Sequence, residues 1–341
     1  MHLLLETSPE RKSLEEIGRS LIEKKSVAVL TLAGGSGSRL GYEHPKGTFV
    51  LPTKKKPGRS LFQRQAEKIF KAGAPWVIMV SNETKDKTIE HLQTVVLPEY
   101  DMKVFLIVQE DIDALDKETK NPLLNMKGDH IQVPNGNGSV FKTLKASSYI
   151  AVDKDSVTPQ SMSLLSALPD TRYFNIISID NVLVRIADPA MVGYAQKYLL
   201  EVVSAGVPEM PNKKMGVFEL INGRIEVTEY TSEEKRGLPL VNSDEKNLAN
   251  IANHLVAKEC IERMNPEEIP YHEAIKKIPH AGDPSPSAPN AIKRELFIFD
   301  GFRLANSHGV IEYGCNSYEG LKNKEGESDS IETCTRAVDE E

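Results

Sequence analysis

A glycine-rich loop directly after an apolar stretch limits the possible folds of this chain more than any other feature. Residues 27–32 read Val-Ala-Val-Leu-Thr-Leu, and residues 33–41 read Ala-Gly-Gly-Ser-Gly-Ser-Arg-Leu-Gly. The apolar run predicts a buried parallel strand, and the glycines let backbone N–H groups approach a ligand that no side chain crowds. Arg39 and Lys46 add positive charge beside the loop. The segment therefore predicts a phosphate-binding loop.

Two common phosphate loops do not fit this segment. A dinucleotide fingerprint starting at Gly35 and Gly37 would need a third glycine at the position of Leu40. A Walker A loop needs Gly-Lys-Ser/Thr, whereas here Lys46 stands between a proline and a glycine. What remains is a nucleotide-triphosphate loop with an arginine and a lysine, or a plain glycine-rich connector between a strand and a helix.

Composition indicates a globular protein that does not bind nucleic acid. The chain has 341 residues, 40% of them hydrophobic and 27% charged, and its formal net charge is −7. General nucleic-acid binding relies on broad positive charge. Three distant cysteines suggest neither a disulfide framework nor a zinc site. With no signal peptide and no apolar run near the roughly 20 residues that span a bilayer, we expect a cytoplasmic protein that does not bind membranes.

Helix-like and strand-like segments alternate along the chain, which is typical of a parallel sheet. This alternation predicts an α/β fold with a doubly wound, mostly parallel, Rossmann-like sheet and helices on both faces. An Asn-Gly turn at residues 222–223 predicts a small β-hairpin. Predicted helices cover residues 9–25, 61–70 and 83–97, and predicted strands cover residues 27–32, 76–80, 104–108, 176–180 and 297–299.

Other segments carry groups suited to a nucleotide and a metal ion. Residues 134–138 read Pro-Asn-Gly-Asn-Gly and could expose several backbone amides, although alone they could equally form a surface turn. Asp180 ends a predicted strand, where open α/β sheets bind ligands. One carboxylate beside phosphate oxygens is a usual Mg²⁺ ligand set. Glu229 and Asn250 would suit sugar hydroxyls and an amide, if they face one pocket.

Together these segments resemble the signature of sugar-nucleotide pyrophosphorylases, Leu-x-Gly-Gly-x-Gly-[Ser/Thr]-x-Leu/Met-Gly followed by Pro-Lys. The likeness is to the eukaryotic UDP-N-acetylglucosamine pyrophosphorylases, and it covers roughly residues 26–337. Residues 250–254, Asn-Ile-Ala-Asn-His, and 227–230, Val-Thr-Glu-Tyr, look specific to the N-acetylhexosamine branch. Residues 289–293, Pro-Asn-Ala-Ile-Lys, resemble the family's Pro-Asn-Gly-Ile-Lys, with alanine in place of glycine.

The resemblance implies uridylyl transfer from UTP to N-acetylglucosamine 1-phosphate, which gives UDP-N-acetylglucosamine and pyrophosphate, with Mg²⁺ as cofactor. It implies catalytic roles for Arg39, Lys46, Lys293 and Lys322. It implies nucleotide contacts from Ala33, Gly34, Gly35, Gln109, Pro134, Gly136, Asn137 and Asp180, with Gln109 on the uracil ring. It implies sugar contacts from Asn137, Gly216, Glu229, Tyr230 and Asn250, and Mg²⁺ on Asp180.

For domain organisation we expect a helical segment over residues 1–25, a nucleotidyltransferase domain over 26–320, and a tail over 321–341. Within the domain, the nucleotide half would cover about 26–190 and the sugar half, with the hairpin as a sugar-binding insertion, about 191–320. Family members usually continue into a small C-terminal β domain, which we expect to be absent. We also expect a monomer, a polar and mobile tail, and a packing role for His254.

Three alternatives remain open at this stage. The same reaction could use N-acetylgalactosamine 1-phosphate or glucose 1-phosphate. A metal-dependent glycosyltransferase would need an Asp-x-Asp after a strand; Asp153 and Asp155 have that spacing but follow a helix-like stretch. A non-catalytic relative could bind sugar nucleotides as a sensor. The lysine run at residues 54–56 is interpreted as a solvated loop.

Overall fold

The protein, seen in a computed structural model, is described over residues 2–229 and 237–341. Its strands are β1 (His2–Leu4), β2 (Val27–Leu32), β3 (Trp76–Val80), β4 (Val104–Val108), β5 (Asp111–Asp113), β6 (Leu115–Asp116), β7 (Gln132–Pro134), β8 (Tyr149–Val152), β9 (Val157–Gln160), β10 (Tyr173–Ser178), β11 (Val202–Pro208), β12 (Val217–Ile221), β13 (Arg224–Thr228), β14 (Leu238–Pro239), β15 (Leu248–Ala257), β16 (Tyr271–Lys276), β17 (Ala291–Leu296) and β18 (His308–Glu312).

The helices are α1 (Arg11–Glu23), α2 (Leu61–Ala72), α3 (Lys85–His91), α4 (Val140–Lys145), α5 (Leu164–Ala167), α6 (Pro189–Tyr198), α7 (Lys258–Arg263), α8 (Ile298–Gly301) and α9 (Ile331–Glu340). Short 3-10 turns at Ser38–Leu40, Lys46–Thr48 and Asn137–Ser139 follow the glycine-containing segments. Within the described part of the chain, no helix is both long and apolar enough to cross a membrane.

A large mixed sheet forms the body of the fold. Its main path runs β1-β18-β11-β15-β10-β2-β3-β4-β8-β9. The four strands β10, β2, β3 and β4 are parallel neighbours, as the sequence predicts. The sheet as a whole is mixed, so a mostly parallel sheet is not confirmed: β15 runs antiparallel to both β10 and β11, and β8 and β9 form an antiparallel edge. Antiparallel strands need no crossover helix between them. The alternation of predicted helices and strands therefore does not reveal which strands pair antiparallel.

Helix α1 packs against α6 through two glycines. A Cβ at Gly18 would lie 1.9 Å from the carbonyl oxygen of Pro189, and one at Gly193 would lie 1.8 Å from that of Leu14. Leu14 is fully buried in the main core. The two helices can therefore approach backbone to backbone, which fastens the N-terminal segment to the sheet.

Three local predictions need correction. The strand expected over 176–180 is β10, which ends at Ser178, so Asp180 lies in the loop beyond it. The strand expected over 297–299 is wrong, since Phe297 caps α8 and the strand ends one residue earlier. The tail contains α9, whose first turn is fixed by a capping box between Ser330 and Thr333. Apolar residues alone do not distinguish a short helix from a strand.

Asp153 and Asp155 follow strand β8 and not a helix. The carboxylate of Asp153 accepts hydrogen bonds from the backbone N–H of Asp155 (3.0 Å) and from the N–H and hydroxyl of Ser156 (2.7 and 2.8 Å). Both oxygens therefore hold the turn between β8 and β9. A metal role for this pair, which the glycosyltransferase alternative needs, has no support here.

Candidate active site

A cavity of about 720 Å³ lies at the carboxyl edge of the parallel strands. Eight of the residues selected from the sequence line it, and they come from segments far apart in the chain. These residues are Arg39, Lys46, Asn137, Asp180, Gly216, Glu229, Asn250 and Lys322. The cavity therefore joins the glycine-rich loop, the end of β10, the hairpin, β15 and the segment before α9.

The glycine-rich loop turns back on itself so that Lys46 lies beside its beginning. The N–H of Lys46 donates to the carbonyl of Gly35 at 3.2 Å, and Ser36 pairs with Pro45. The next residue must be small, because a Cβ at Gly47 would lie 2.2 Å from the ring of Phe62. The Lys-Gly pair thus has a packing reason as well as a charge.

Lys46 and Asp180 form an ion pair inside the cavity. The Lys46 Nζ lies 2.9 Å from Asp180 Oδ1 and also donates to the carbonyl of Leu321 at 3.3 Å. The N–H of Leu321 donates in turn to the carbonyl of Asp180 at 2.9 Å. The Lys46 side chain is 12% exposed and that of Asp180 is 33% exposed. The segment before α9 therefore fixes the positions of both charged groups.

Lys322 is held by a carboxylate and an aromatic ring. Its Nζ lies 3.1 Å from Asp329 Oδ2 and 5.8 Å from the centre of the Tyr318 ring. Burial opposes the charge on Lys322, but the nearby Tyr318 and Asp329 outweigh it, so that the pKa of Lys322 is raised. Lys322 thus stays charged beside the cavity at all physiological pH values.

Arg39 is exposed on the turn that follows the glycines. Its carbonyl accepts a hydrogen bond from the N–H of Lys324 at 3.2 Å, so the segment before α9 also fixes this turn. Lys214, which sequence reasoning missed, lines the same cavity. Its signal in the sequence was the pair of lysines just before Gly216.

The expected base-binding residues lie together beside the cavity. A Cβ on Gly34 would lie 2.6 Å from Gln109 Nε2, so the amide covers the start of the loop. The N–H of Asn135 donates to the carbonyl of Glu110 at 3.2 Å, which joins residues 134–138 to the segment after β4. Gly136 has φ +89°, and a Cβ there would lie 2.6 Å from the Leu296 carbonyl oxygen. Ala33, Gly34, Gly35, Gln109, Pro134 and Gly136 do not themselves line the 720 Å³ cavity.

Gly216 links Glu229 and Asn250 within the cavity lining. The N–H of Asn250 donates to the carbonyl of Gly216 at 2.8 Å, and a Cβ on Gly216 would lie 3.3 Å from Glu229 Oε1. Burial raises the pKa of Glu229, although His272 and Lys322 partly offset this rise. Asn250 Oδ1 accepts from the N–H of Ala252 at 2.9 Å, where β15 bulges. Tyr230 lies outside the described residues.

Phe297, Ile298 and Phe299 form an apolar part of the cavity wall that the sequence did not indicate. The Phe297 and Phe299 rings lie 5.3 Å apart. Asn137 Oδ1 accepts a hydrogen bond from the N–H of Ile298 at 2.9 Å and so links this wall to the Asn-Gly segment. Aromatic faces of this kind suit the planar or apolar surface of a ring-shaped ligand.

Two predicted residues behave differently from the rest. Lys293 lies on β17, where its Nζ pairs with Glu295 Oε1 at 2.6 Å, and it does not line the cavity. His254 is buried, and its Nδ1 lies 2.8 Å from the hydroxyl of Ser204. The predicted packing role of His254 is confirmed.

The residues present are compatible with a magnesium ion held largely by a substrate. Among residues 2–229 and 237–341, no group of three or more His, Cys, Asp or Glu side chains could hold a metal. Asp180, partly exposed in the cavity, presents a carboxylate. Because Mg²⁺ in phosphate-transfer sites commonly keeps waters and binds one or two carboxylates plus phosphate oxygens, this donor set fits it.

Comparison with known proteins decides the family. The family described as UTP–glucose-1-phosphate uridylyltransferase matches residues 5–282. The chain belongs to this family. It is 30% identical to the probable UDP-N-acetylglucosamine pyrophosphorylase of Caenorhabditis elegans, over 95% of this chain and 68% of that protein. It is also 30% identical to the UDP-N-acetylglucosamine pyrophosphorylase of Saccharomyces cerevisiae, over 97% of this chain and 72% of that protein.

A solved structure agrees with these sequence matches. The uridine diphosphate N-acetylglucosamine pyrophosphorylase of Trypanosoma brucei superposes with a TM-score of 0.81 at 26% identity, over 99% of this chain and 71% of that chain. The resemblance to eukaryotic UDP-N-acetylglucosamine pyrophosphorylases, expected from the motifs, is confirmed. This family member therefore has the mixed α/β fold of a uridylyltransferase. Lys46, at the end of the family signature, lines its cavity.

Proposed function

We propose that this chain transfers the uridylyl group of UTP to N-acetylglucosamine 1-phosphate and releases pyrophosphate. The observation that carries the proposal is one cavity lined by Arg39, Lys46 and Lys322 and also by Glu229 and Asn250. The cations suit the phosphates, and the carboxylate and the amide suit the sugar end of the substrate. The half formed by residues 26–190 would hold the nucleotide, and residues 191–320 would hold the sugar.

The reaction needs no covalent intermediate on the protein. A phosphate oxygen of the sugar phosphate forms a bond to the α-phosphorus of UTP, and the bond from that phosphorus to the bridging oxygen of the β-phosphate breaks. The electron pair leaves with pyrophosphate. Because both reactants are anions, the residues act mainly by positioning and charge stabilisation, as is general for transfer at phosphorus.

Each charged residue has a role that follows from its place. Arg39 and Lys46, which flank the glycine-rich loop, would hold the leaving pyrophosphate. Lys322 would face the phosphate of the sugar, and Lys293 stays a weaker candidate for the same role because it pairs with Glu295 outside the cavity. Asp180 would hold Mg²⁺, which when bound supplies positive charge to the phosphate oxygens.

The sugar end supports an N-acetylhexosamine over a plain hexose. Asn250 is fixed by its bonds to Gly216 and Ala252, and the carboxyl of Glu229 lies close to Gly216. A rigid amide and a carboxylate can together satisfy the N–H and the carbonyl of an acetamido group. N-acetylgalactosamine 1-phosphate and glucose 1-phosphate are the alternative substrates. A monomeric cytoplasmic enzyme completes the proposal.

The test is pyrophosphate release from UTP and Mg²⁺ with each of the three sugar phosphates. Fast release with the N-acetylglucosamine compound supports both the reaction and the sugar end. Release mainly with glucose 1-phosphate would keep the reaction but contradict the roles given to Glu229 and Asn250. No release with any of them, together with binding of UDP-N-acetylglucosamine, would favour a sensor over an enzyme.

A further inference from the structure

A group of three largely buried charges, Lys213, Glu319 and Asp329, lies next to Lys322. Asp329 Oδ2 lies 3.1 Å from Lys322 Nζ, and Asp329 Oδ1 lies 3.2 Å from Lys213 Nζ. Lys213 Nζ also lies 2.6 Å from Glu319 Oε2. The side chains of Lys213, Glu319 and Asp329 are 10%, 13% and 7% exposed, whereas that of Lys322 is 31% exposed. Of the four, Lys322 and Asp329 line the cavity, and the side chain of Lys322 is the more exposed of the two.

Each of the two carboxylates pairs with a different lysine: Glu319 with Lys213, and Asp329 with Lys322. Glu319 also accepts from the hydroxyl of Thr333 at 2.7 Å, which fixes it beside Lys213. Because Glu319 already balances Lys213, the charge of Asp329 remains available for Lys322. A lysine side chain has four flexible carbons and can adopt many rotamers. A fixed carboxylate therefore decides where the Lys322 ammonium lies.

Asp329 holds the backbone of Lys322 as well as its ammonium. The Asp329 carbonyl accepts from the N–H groups of Lys322 and Asn323, each at 2.9 Å. Asp329 has φ +54°, a conformation that Asp and Asn tolerate better than most residues. Next to it, Ser330 starts α9 with a capping box. The start of α9 thus fixes both ends of a side chain that faces the cavity.

We propose that Asp329 is a positioning residue that holds the Lys322 ammonium towards the phosphate of the sugar substrate. This inference rests on the proposed function for the identity of the substrate. It assigns to the segment between Lys322 and α9 a role in binding that its polar composition alone did not indicate. Asp329 itself acts through Lys322, so its effect must vanish when Lys322 is removed.

The test is a double-mutant cycle of Asp329→Asn and Lys322→Met, with Glu332→Gln as control. Asparagine keeps the size and tolerates the positive φ, so only the charge is lost. Glu332 is an exposed carboxylate three positions further along the chain, in the first turn of α9. For each variant, kcat, the KM for N-acetylglucosamine 1-phosphate, the KM for UTP and the Tm are measured.

Asp329→Asn should raise the KM for the sugar phosphate or lower kcat so that kcat/KM falls about tenfold, the scale of one charged hydrogen bond. The KM for UTP should stay within about twofold, and the double variant should be no worse than Lys322→Met alone. Glu332→Gln should match the parent protein. Wild-type kinetics in Asp329→Asn, or the same loss on the Lys322→Met background, would overturn the inference.

A failure of the proposed function gives a different result. In that case the unsubstituted protein releases no pyrophosphate, and the same four variants are titrated with UDP-N-acetylglucosamine by calorimetry. The inference then predicts the same non-additive pattern in Kd. Additive losses, or no loss in Asp329→Asn, would overturn it there too.

Discussion

Lys46 Nζ and Asp180 Oδ1 lie 2.9 Å apart and join the segment after the glycine-rich loop to the segment after β10. The two groups balance each other in a partly buried place. The proposed function assigns Lys46 to the pyrophosphate and Asp180 to Mg²⁺. Magnesium and UTP together would replace both halves of this pair, whereas either alone would leave one charge without its partner.

We therefore expect Mg²⁺ and UTP to strengthen each other's binding. Calorimetric titration of UTP with and without Mg²⁺ should show a Kd ratio that is larger for the parent protein than for Asp180→Asn. The carboxamide removes one negative ligand, so the Mg²⁺ concentration needed for half-maximal rate should rise about tenfold or more. An unchanged Mg²⁺ requirement in Asp180→Asn would remove the metal role from this residue.

Removal of the Lys46 charge should affect turnover more than folding. Lys46→Ala should lower kcat about 10²-fold or more, which is the usual loss for one preorganised donor at a developing charge. Arg39→Ala should give a loss of similar size. The measurement is pyrophosphate release at saturating substrates, with Lys12→Ala, an exposed residue on α1, as the matched control. Near-full rates in both variants would contradict their assignment to the pyrophosphate.

Substitution of Gly35 by alanine should affect ligand binding without affecting folding. A Cβ added at Gly35 meets nothing within 4 Å, so Gly35→Ala should fold with an unchanged Tm. If the triphosphate lies against the backbone of this loop, the same methyl group should weaken UTP binding about tenfold or more. In contrast, Gly136→Ala should lower the Tm, because its Cβ would lie 2.6 Å from the Leu296 carbonyl oxygen at φ +89°. Equal UTP affinity in Gly35→Ala would place the triphosphate elsewhere.

Asn250 should determine the preference for the acetamido group. Asn250→Ala should lower kcat/KM for N-acetylglucosamine 1-phosphate about tenfold or more, the scale of an unpaired polar group. The value for glucose 1-phosphate should change within about twofold, since that sugar lacks the group. Because Asn250 also accepts from Ala252, a Tm for each variant distinguishes lost recognition from a local collapse. Equal losses for both sugars would contradict the proposed contact.

Two histidines, the buried His254 and the half-buried His308, should make the fold sensitive to acid. The Ser204 hydroxyl lies 2.8 Å from His254 Nδ1 and 2.8 Å from His308 Nε2. Burial lowers the pKa of His254 to about 3 and that of His308 to about 4, below the usual 6.5. The unfolded chain therefore binds more protons between about pH 4 and 6.5, so stability falls as the pH falls through this window.

The free energy of unfolding is expected to fall by about 1.4 kcal/mol per pH unit for each histidine within this window. Urea unfolding at several pH values between about 4.5 and 7.5, which spans the usual histidine pKa, measures how the free energy of unfolding changes with pH. His308→Gln should lower this pH dependence of the free energy of unfolding by about the contribution of one histidine, whatever its effect on the stability at pH 7. The same pH dependence in the variant and the parent protein would show that His308 does not titrate on unfolding.

The comparison of sequence and structure is clearest at the carboxyl ends of the parallel strands. The glycine-rich loop, Asp180 and Gln109 each follow an apolar run, and local patterns sufficed to place them at one edge of a sheet. Strands β2, β3 and β4 match the predicted bounds, since their burial on both faces produces continuous apolar runs.

The contacts of the segment before α9 and the position of strand β15 in the sheet could be known only from the tertiary structure. Asp329 looks like a solvent-exposed residue in a polar tail, but in the fold it is buried and pairs with Lys322 of its own segment and with Lys213 from a distant part of the chain. Strand β15 was visible as a motif with Asn250, but its position between β10 and β11 was not. The chain's own pattern thus determined the glycine-rich loop and its charges, since these need only neighbouring residues. Which distant charges meet, and which lysines line the cavity, was decided by long-range packing that no local pattern records.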